Sequence, residues 1–276
     1  MKSIKNYFLR VALCLLFLAS PLYGYKDADE FWRDVSPVNG PKSVDLGANA
    51  RIFIPKGYIF LRKKDAAKFR AFSENLPNPK SLGVIMPENF AWWAEFEYED
   101  SGYIKEEKID AEDVFNAYKK SENYANEERE RLGYKKLFLK GWFFKPAYNS
   151  YSKNLEWALS FVDSDNEPVI NFETRILGRT GYMSSTLVMA PDNKMAINEF
   201  QQIISEFSFK EGYRYSEWRS GDKVAEYGLS ALITGGVIAV AAKTGLLAHI
   251  AKFWKLIVVG AVGAFGFIAK LFGKKN

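Results

Sequence analysis

Apolar and polar positions alternate with a period of two through much of residues 26–222, and alternation of that kind predicts strands. Arg51–Ile54 and Tyr58–Leu61 flank Pro55-Lys56-Gly57 and read as strand, tight turn and strand. Ala91–Tyr98 (AWWAEFEY) reads as a strand with Glu95 and Glu97 on one face. Lys136–Phe144, Leu155–Val162, Val169–Leu177 and Tyr182–Ala190 follow as long strands, with turns at Asp163–Pro168 and Gly178–Gly181. Two stretches switch to the helical period. Asp110 followed by Asp113 is an N-cap pattern opening a helix to about Arg131, stopped by Gly133. Asn193–Phe207 is amphipathic, with Met195, Phe200, Ile203, Ile204 and Phe207 apolar. Asp29–Gly40 reads as a helix-to-loop lead-in. Consecutive strands with short connections pair antiparallel, so the expected class is α+β: an antiparallel meander sheet with packed helices.

The two ends break the alternation. Residues 1–24 place Lys2, Lys5 and Arg10 before the apolar run Val11–Ala19, then Ser20, Pro21 and Gly24, the order of a secretory signal peptide. At the other end two apolar segments, about Leu229–Ala242 and Phe253–Phe272, enclose a basic connection with Lys243, His249 and Lys252. The second has the length of a bilayer span. Ala231, Gly235 and Ala239 recur four apart, as do Gly260 and Ala264, and such small-residue faces let membrane helices approach closely. Residues 223–276 are therefore expected to form C-terminal membrane helices, as a helical hairpin. A single span with an interfacial helix is the alternative, and two buried helices of a folded core are the third reading.

Charge supports that division. The chain of 276 residues is formally +5, but residues 223–276 hold seven lysines against Glu226 alone, and residues 1–24 hold three cations and no acid. The stretch 25–222 is left slightly acidic, which argues against a nucleic-acid-binding domain. Cys14, the one cysteine, lies in the N-terminal apolar run, so the folded middle offers no disulfide, thiolate ligand or thiol nucleophile. His249, the one histidine, lies in the C-terminal apolar region, so a Ser-His-Asp triad or a histidine-ligated metal is not expected in the middle.

Five ordered runs, GPKSVDLGANARIFIPKGYIFL, GYIKEEKIDAEDV, GWFFKPAYNSYSKNLEWAL, NFETRILGRTGYMSSTLV and DKVAEYGLSALITGG, resemble a family of membrane-anchored bacterial proteins catalogued as domain of unknown function 2167. The resemblance covers about residues 35–250. It implies a signal peptide, an extracytoplasmic domain over 25–222, and membrane segments holding that domain on the periplasmic side of the inner membrane. It implies no established activity. The pattern of residues 169–209 is also similar to the fold of photosystem accessory and Ran-binding Mog1-like domains, an analogy without functional content.

Few residues of the middle suggest chemistry. Arg175 and Arg179 end a strand and enter its turn, and with Asn171 they form a candidate ligand-binding set, since a guanidinium pairs bidentately with phosphate or carboxylate. The competing reading pairs each arginine with an acid of the domain. Glu95 and Glu97 are a carboxylate pair, usually a solvated strand face. Asp163-Ser164-Asp165-Asn166-Glu167 offers oxygens but lacks the glycine and distal glutamate of a calcium loop, and reads as a hairpin turn. Trp92, Trp93, Trp142 and Trp157 fall within strands and read as core. Asp222 and Lys223 read as an interfacial ion pair. No catalytic residue, metal site or cofactor is expected. The residues favour a non-enzymatic envelope protein acting on the lipid bilayer or on other membrane or envelope proteins, with no nucleic acid. An accessory subunit of a membrane complex and a carboxylate-based hydrolase are the alternatives.

Overall fold

Among the described residues, eight strands form one antiparallel sheet, and three more form a small sheet packed against it. The computed structural model describes residues 25–233 except residues 108, 110 and 194, and leaves the side chains of residues 113 and 231 undescribed. In chain order the elements are α1 (Ala28–Asp34), β1 (Val38–Asn39), β2 (Lys42–Gly47), β3 (Ala50–Ile54), β4 (Tyr58–Arg62), α2 (Lys63–Phe72), β5 (Ser81–Pro87) and β6 (Trp92–Glu99). Then come α3 (Ala111–Arg131), β7 (Leu137–Asn149), β8 (Asn154–Asp163), β9 (Pro168–Leu177), β10 (Tyr182–Met189), α4 (Ala196–Ser205), β11 (Ser208–Phe209) and α5 (Leu229–Ile233). The large sheet runs β1-β4-β5-β6-β10-β9-β8-β7, and the small one β11-β3-β2.

The α+β class and the meander β7 to β10 agree with the sequence pattern. The predicted strand-turn-strand around Pro55-Lys56-Gly57 is not a hairpin, however. β3 pairs with β2 and β11, whereas β4 pairs with β1 and β5, so the chain changes sheets at that turn. Local alternation identifies both strands but carries no information about which neighbour each one pairs with. α3 ends where expected: Gly133 takes φ +73° and Tyr134 N–H donates to the Arg129 carbonyl at 2.8 Å, a glycine-terminated cap. α4 begins only at Ala196, which leaves Met195 exposed beyond the apolar stripe of Ala196, Phe200, Ile203 and Ile204.

Side chains alternate across the sheet and feed three cores. One face, through Phe60, Ile85, Trp92, Ala94, Phe96, Phe172 and Leu187, packs on α4 and the small sheet. The other face carries two separate clusters. At the β4–β5 end Ile59, Leu61, Val84 and Met86 meet Phe31 of α1 and Ala66 and Phe69 of α2. At the β8–β9 end Leu155, Trp157, Leu159 and Leu177 meet Val114 of α3 and Leu229, Leu232 and Ile233 of α5.

The third cluster corrects the C-terminal assignment. Among the described residues no helix is long and apolar enough to cross a membrane. The described start of the first apolar segment is the five-residue α5, and Leu229 and Leu232 are fully buried in the domain core. Residues 223–225 are also tied in, by Tyr103 N–H to the Lys223 carbonyl at 2.8 Å and Ala225 N–H to the Tyr103 carbonyl at 3.0 Å. An apolar run looks the same in sequence whether lipid or a sheet covers it, and here the covering is Trp157 and its neighbours. The C-terminal membrane helices, the membrane-anchored description and the inner-membrane localisation built on them are therefore not upheld. Ala231 lies in α5; Gly235, Ala239, Gly260 and Ala264, like His249 and the signal-peptide expectation over 1–24, fall outside the described residues.

Candidate functional site

Between its two clusters, the second sheet face is polar. α2 packs on β4 and β5, and α3 packs on β7 and α5, so the central strands β6, β10 and β9 lie between the two helices. Strand register sets the side chains of this strip in three rows. Glu95, Thr186 and Glu173 form one, Glu97, Ser184 and Arg175 the next, and Trp93, Val188 and Asn171 the third. At one end Arg129 of α3 ties the helices together, donating to the carbonyl of Glu74, just beyond α2, at 2.9 Å. The result is a polar trough between apolar flanks, its charged floor buried: Glu95, Ser184, Glu173 and Arg175 are each 9% exposed or less.

Glu95 is 6% exposed, against the expectation that it and Glu97 form a solvated face. Its Oε2 accepts from Arg70 of α2 and, at 3.3 Å, from Asn78 Nδ2, which also donates to Glu97 at 3.2 Å. Arg70 is oriented in turn by its Nε bond to the Leu76 carbonyl at 2.7 Å. Glu95 Oε1 is buried, and the equally buried Ser81 hydroxyl of β5 stands beside this carboxyl. Burial pushes the Glu95 carboxyl up from its ordinary range, against the pull of Arg70.

Arg175, 9% exposed, lies over the Trp157 ring with its guanidinium carbon 4.7 Å from the ring centroid. Its Nη1 donates to Glu173 at 2.9 Å, and Glu173 also accepts from the Thr186 hydroxyl at 2.9 Å. Arg175 Nε is buried without a partner among the described residues. Tyr118 of α3 stands beside this pair; burial first, and then the Glu173 charge, pushes its hydroxyl up.

Of the three predicted ligand residues, the structure brings Asn171 and Arg175 onto the trough floor, on one face of β9. Arg179 is elsewhere. It clamps the β9–β10 turn to the segment after η1 (Tyr215–Glu217): Nε and Nη2 each donate to Asp222 at 2.7 Å, and Nη1 donates to the Gly212 carbonyl at 3.1 Å. Asp222 thus bonds Arg179, not Lys223, whose amine reaches the Asp100 carbonyl at 3.2 Å. The Arg179 hydrogen bonds first, then the Arg219 N–H, lower the Asp222 pKa from 3.8 to about 2. A lowered folded-state pKa gives stability that is present above 3.8 and lost as pH falls toward about 2. Asp222→Asn is expected to flatten the stability profile in that window, read as urea midpoints against pH.

The remaining candidates are structural. Asp163 Oδ1 accepts from the N–H groups of Asp165 and Glu167, and Lys135 pairs with Asp163 and Asp165, which makes a hairpin turn. Trp92 and Trp157 are buried in cores. An open cavity of about 390 Å³ lies on the opposite side of the sheet, beside Phe53, Tyr58 and Glu199, but Glu199 is engaged by Trp92 Nε1 at 2.8 Å. Among the described residues, no group of three or more His, Cys, Asp or Glu is placed to hold a metal ion. The sequence reading missed Arg70, Asn78, Glu173, Ser184 and Thr186. Only the same-face spacing of Glu95 with Glu97 and of Glu173 with Arg175 hinted at them.

A family model described as protein of unknown function (DUF2167) matches residues 38–266, from β1 onward. The chain belongs to that family. The trough of this DUF2167 member lies wholly within the matched span. No curated protein matches the chain. The solution structure of cyanobacterial PsbP (CyanoP) from Synechocystis sp. PCC 6803 is similar at 15% identity and a TM-score of 0.38, covering 63% of this chain and 92% of that one. The Ran-binding protein Mog1p of Saccharomyces cerevisiae is similar at 11% identity and a TM-score of 0.35, covering 66% of this chain and 100% of that one. At those scores neither likeness bears on function.

Proposed function

We propose that this domain is a non-catalytic recognition module that binds a small polar ligand in the trough between α2 and α3. The observation that carries the reading is the charged floor itself, on which Arg175 Nε is buried without a hydrogen-bond partner among the described residues, beside Glu173 and across β10 from Glu95. A buried polar atom left without a hydrogen bond costs about 1–3 kcal/mol, so a molecule that supplies the missing bonds is favoured there. The arginines and carboxylates are held by Leu76, Asn78, Trp157 and Thr186, which fixes the floor before any ligand arrives.

The test is thermal unfolding of the full chain against a panel of small amines, carboxylates, sugars and amino acids. A ligand at a hundred times its Kd raises stability by about 2.7 kcal/mol, a readily measured shift in Tm. The expected result is a concentration-dependent rise that is absent in Glu95→Gln and Arg175→Gln. A panel that leaves Tm unchanged, or a rise that survives both substitutions, overturns the reading.

A further inference from the structure

The cavity on the opposite side of the sheet is open to solvent and has a chemistry of its own. It forms where the chain leaves the small sheet for the large one, with Phe53, Pro55 and Tyr58 on one wall and Glu199, Gln202, Ile203 and Glu206 on the other. Its volume of about 390 Å³ falls within the range of small-molecule sites. The lining holds two carboxylates and no cation. Among the described residues neither acid is in an ion pair. Arg51, two residues before Phe53 on β3, donates to the Ser208 hydroxyl at 3.2 Å, and Lys56 is exposed in the turn after Pro55.

Helix geometry sets the spacing. Glu199, Gln202 and Glu206 follow one another three and four residues apart, so they line one stripe of α4 and its C-cap. At about 1.5 Å per residue the backbones of the two acids stand about 10 Å apart along the axis. Glu199 is fixed by Trp92 Nε1, which takes Oε2 at 2.8 Å and leaves Oε1 without a partner among the described residues. Burial first, and then the Glu199 charge, push the Tyr58 hydroxyl up, so a neutral phenol stands beside that carboxylate. Glu206 is exposed at the other end.

We propose that this cavity binds a linear aliphatic polyamine, one ammonium on Glu199, a second on Glu206, and the methylene chain against Phe53, Pro55 and Ile203. Two separated carboxylates select a molecule with two separated cations. The aromatic rings attract an ammonium and cover its alkyl chain, a gain that a hydrated metal ion does not share. The site is independent of the trough, which lies on the other face of the sheet.

The experiment is calorimetric titration of the full chain at low salt with putrescine, cadaverine, spermidine and pentylamine. Pentylamine is expected to bind about tenfold more weakly than spermidine, because it forgoes one charge-assisted bond. Glu206→Gln is expected to bring the polyamines down to the level of pentylamine. Glu199→Gln, whose amide oxygen still accepts from Trp92, is expected to weaken all four. Glu95→Gln and Arg175→Gln are expected to leave them unchanged, so a polyamine response that survives those two substitutions belongs to this cavity and not to the trough. Pentylamine binding as tightly as spermidine overturns the proposal. So do polyamine binding that survives Glu199→Gln and Glu206→Gln together, displacement by magnesium ion at equal concentration, and silence toward all four amines.

Discussion

Arg70→Ala is expected to destabilise the folded chain by about 3–5 kcal/mol near neutral pH, because it leaves the buried Glu95 carboxylate without its cation. The remaining groups beside the carboxylate, Asn78 (shared with Glu97) and the Ser81 hydroxyl, are neutral and do not replace the guanidinium. The loss also depends on pH, with a definite sign. Burial already raises the Glu95 pKa above its ordinary 4.5, so the folded state holds that proton more tightly than the unfolded one. Stability linked to Glu95 is therefore fully present below 4.5 and declines as pH rises through the folded value. Removing Arg70 raises that value further and widens the window. Urea midpoints for parent and variant should converge in acid and separate as pH rises. Glu95→Gln placed on Arg70→Ala should recover most of the loss at neutral pH. A deficit that is independent of pH, or a double variant no better than the single, would show that Arg70 acts by packing alone.

Leu232→Ala is expected to cost about 2–5 kcal/mol, the range for truncating a fully buried leucine. Leu232 lies in an apolar run that the sequence assigns to a membrane, yet it is packed with Val114, Leu155, Trp157 and Leu229. Its loss opens a cavity between α3, α5 and the β8–β9 end of the sheet. The check is the denaturant midpoint of the full chain at constant m. An unchanged midpoint would remove α5 from the core and undo the correction made to the C-terminal assignment. The same cluster contains Trp157, on which Arg175 stacks, so a large effect at Leu232 should also weaken ligand binding in the trough.

Legibility in the sequence followed the range of the signal. β8, β9 and β10 alternate only in part, but they are joined by turns that carry their own punctuation, so their class and order could be read locally. α3 and α4 likewise declare themselves, one through its glycine stop and the other through its apolar stripe. α2 did not: Lys63–Phe72 buries only Ala66 and Phe69, too few positions to mark a helical face. β5 did not either, since it is covered on both faces and shows a continuous apolar run in place of alternation. Both omissions mattered, because α2 supplies Arg70 and β5 carries Val84 beside Glu95.

The sequence by itself determined the α+β class, the meander and which residues share a strand face, since backbone periodicity alone places Glu95 with Glu97 and Asn171 with Arg175. It also determined that the middle lacks histidine and cysteine, and so what chemistry is closed to it. Only the tertiary structure decided that β6 and β9 flank β10, bringing those two faces together, and that Arg70 and Arg129 reach in from separate helices. It also showed that Arg179 is committed to Asp222 and that Leu229–Ile233 is covered by the sheet. The physical reason is the same in each case. Periodicity reports which way a side chain points, whereas its partner, its burial and its free valence depend on residues far away along the chain.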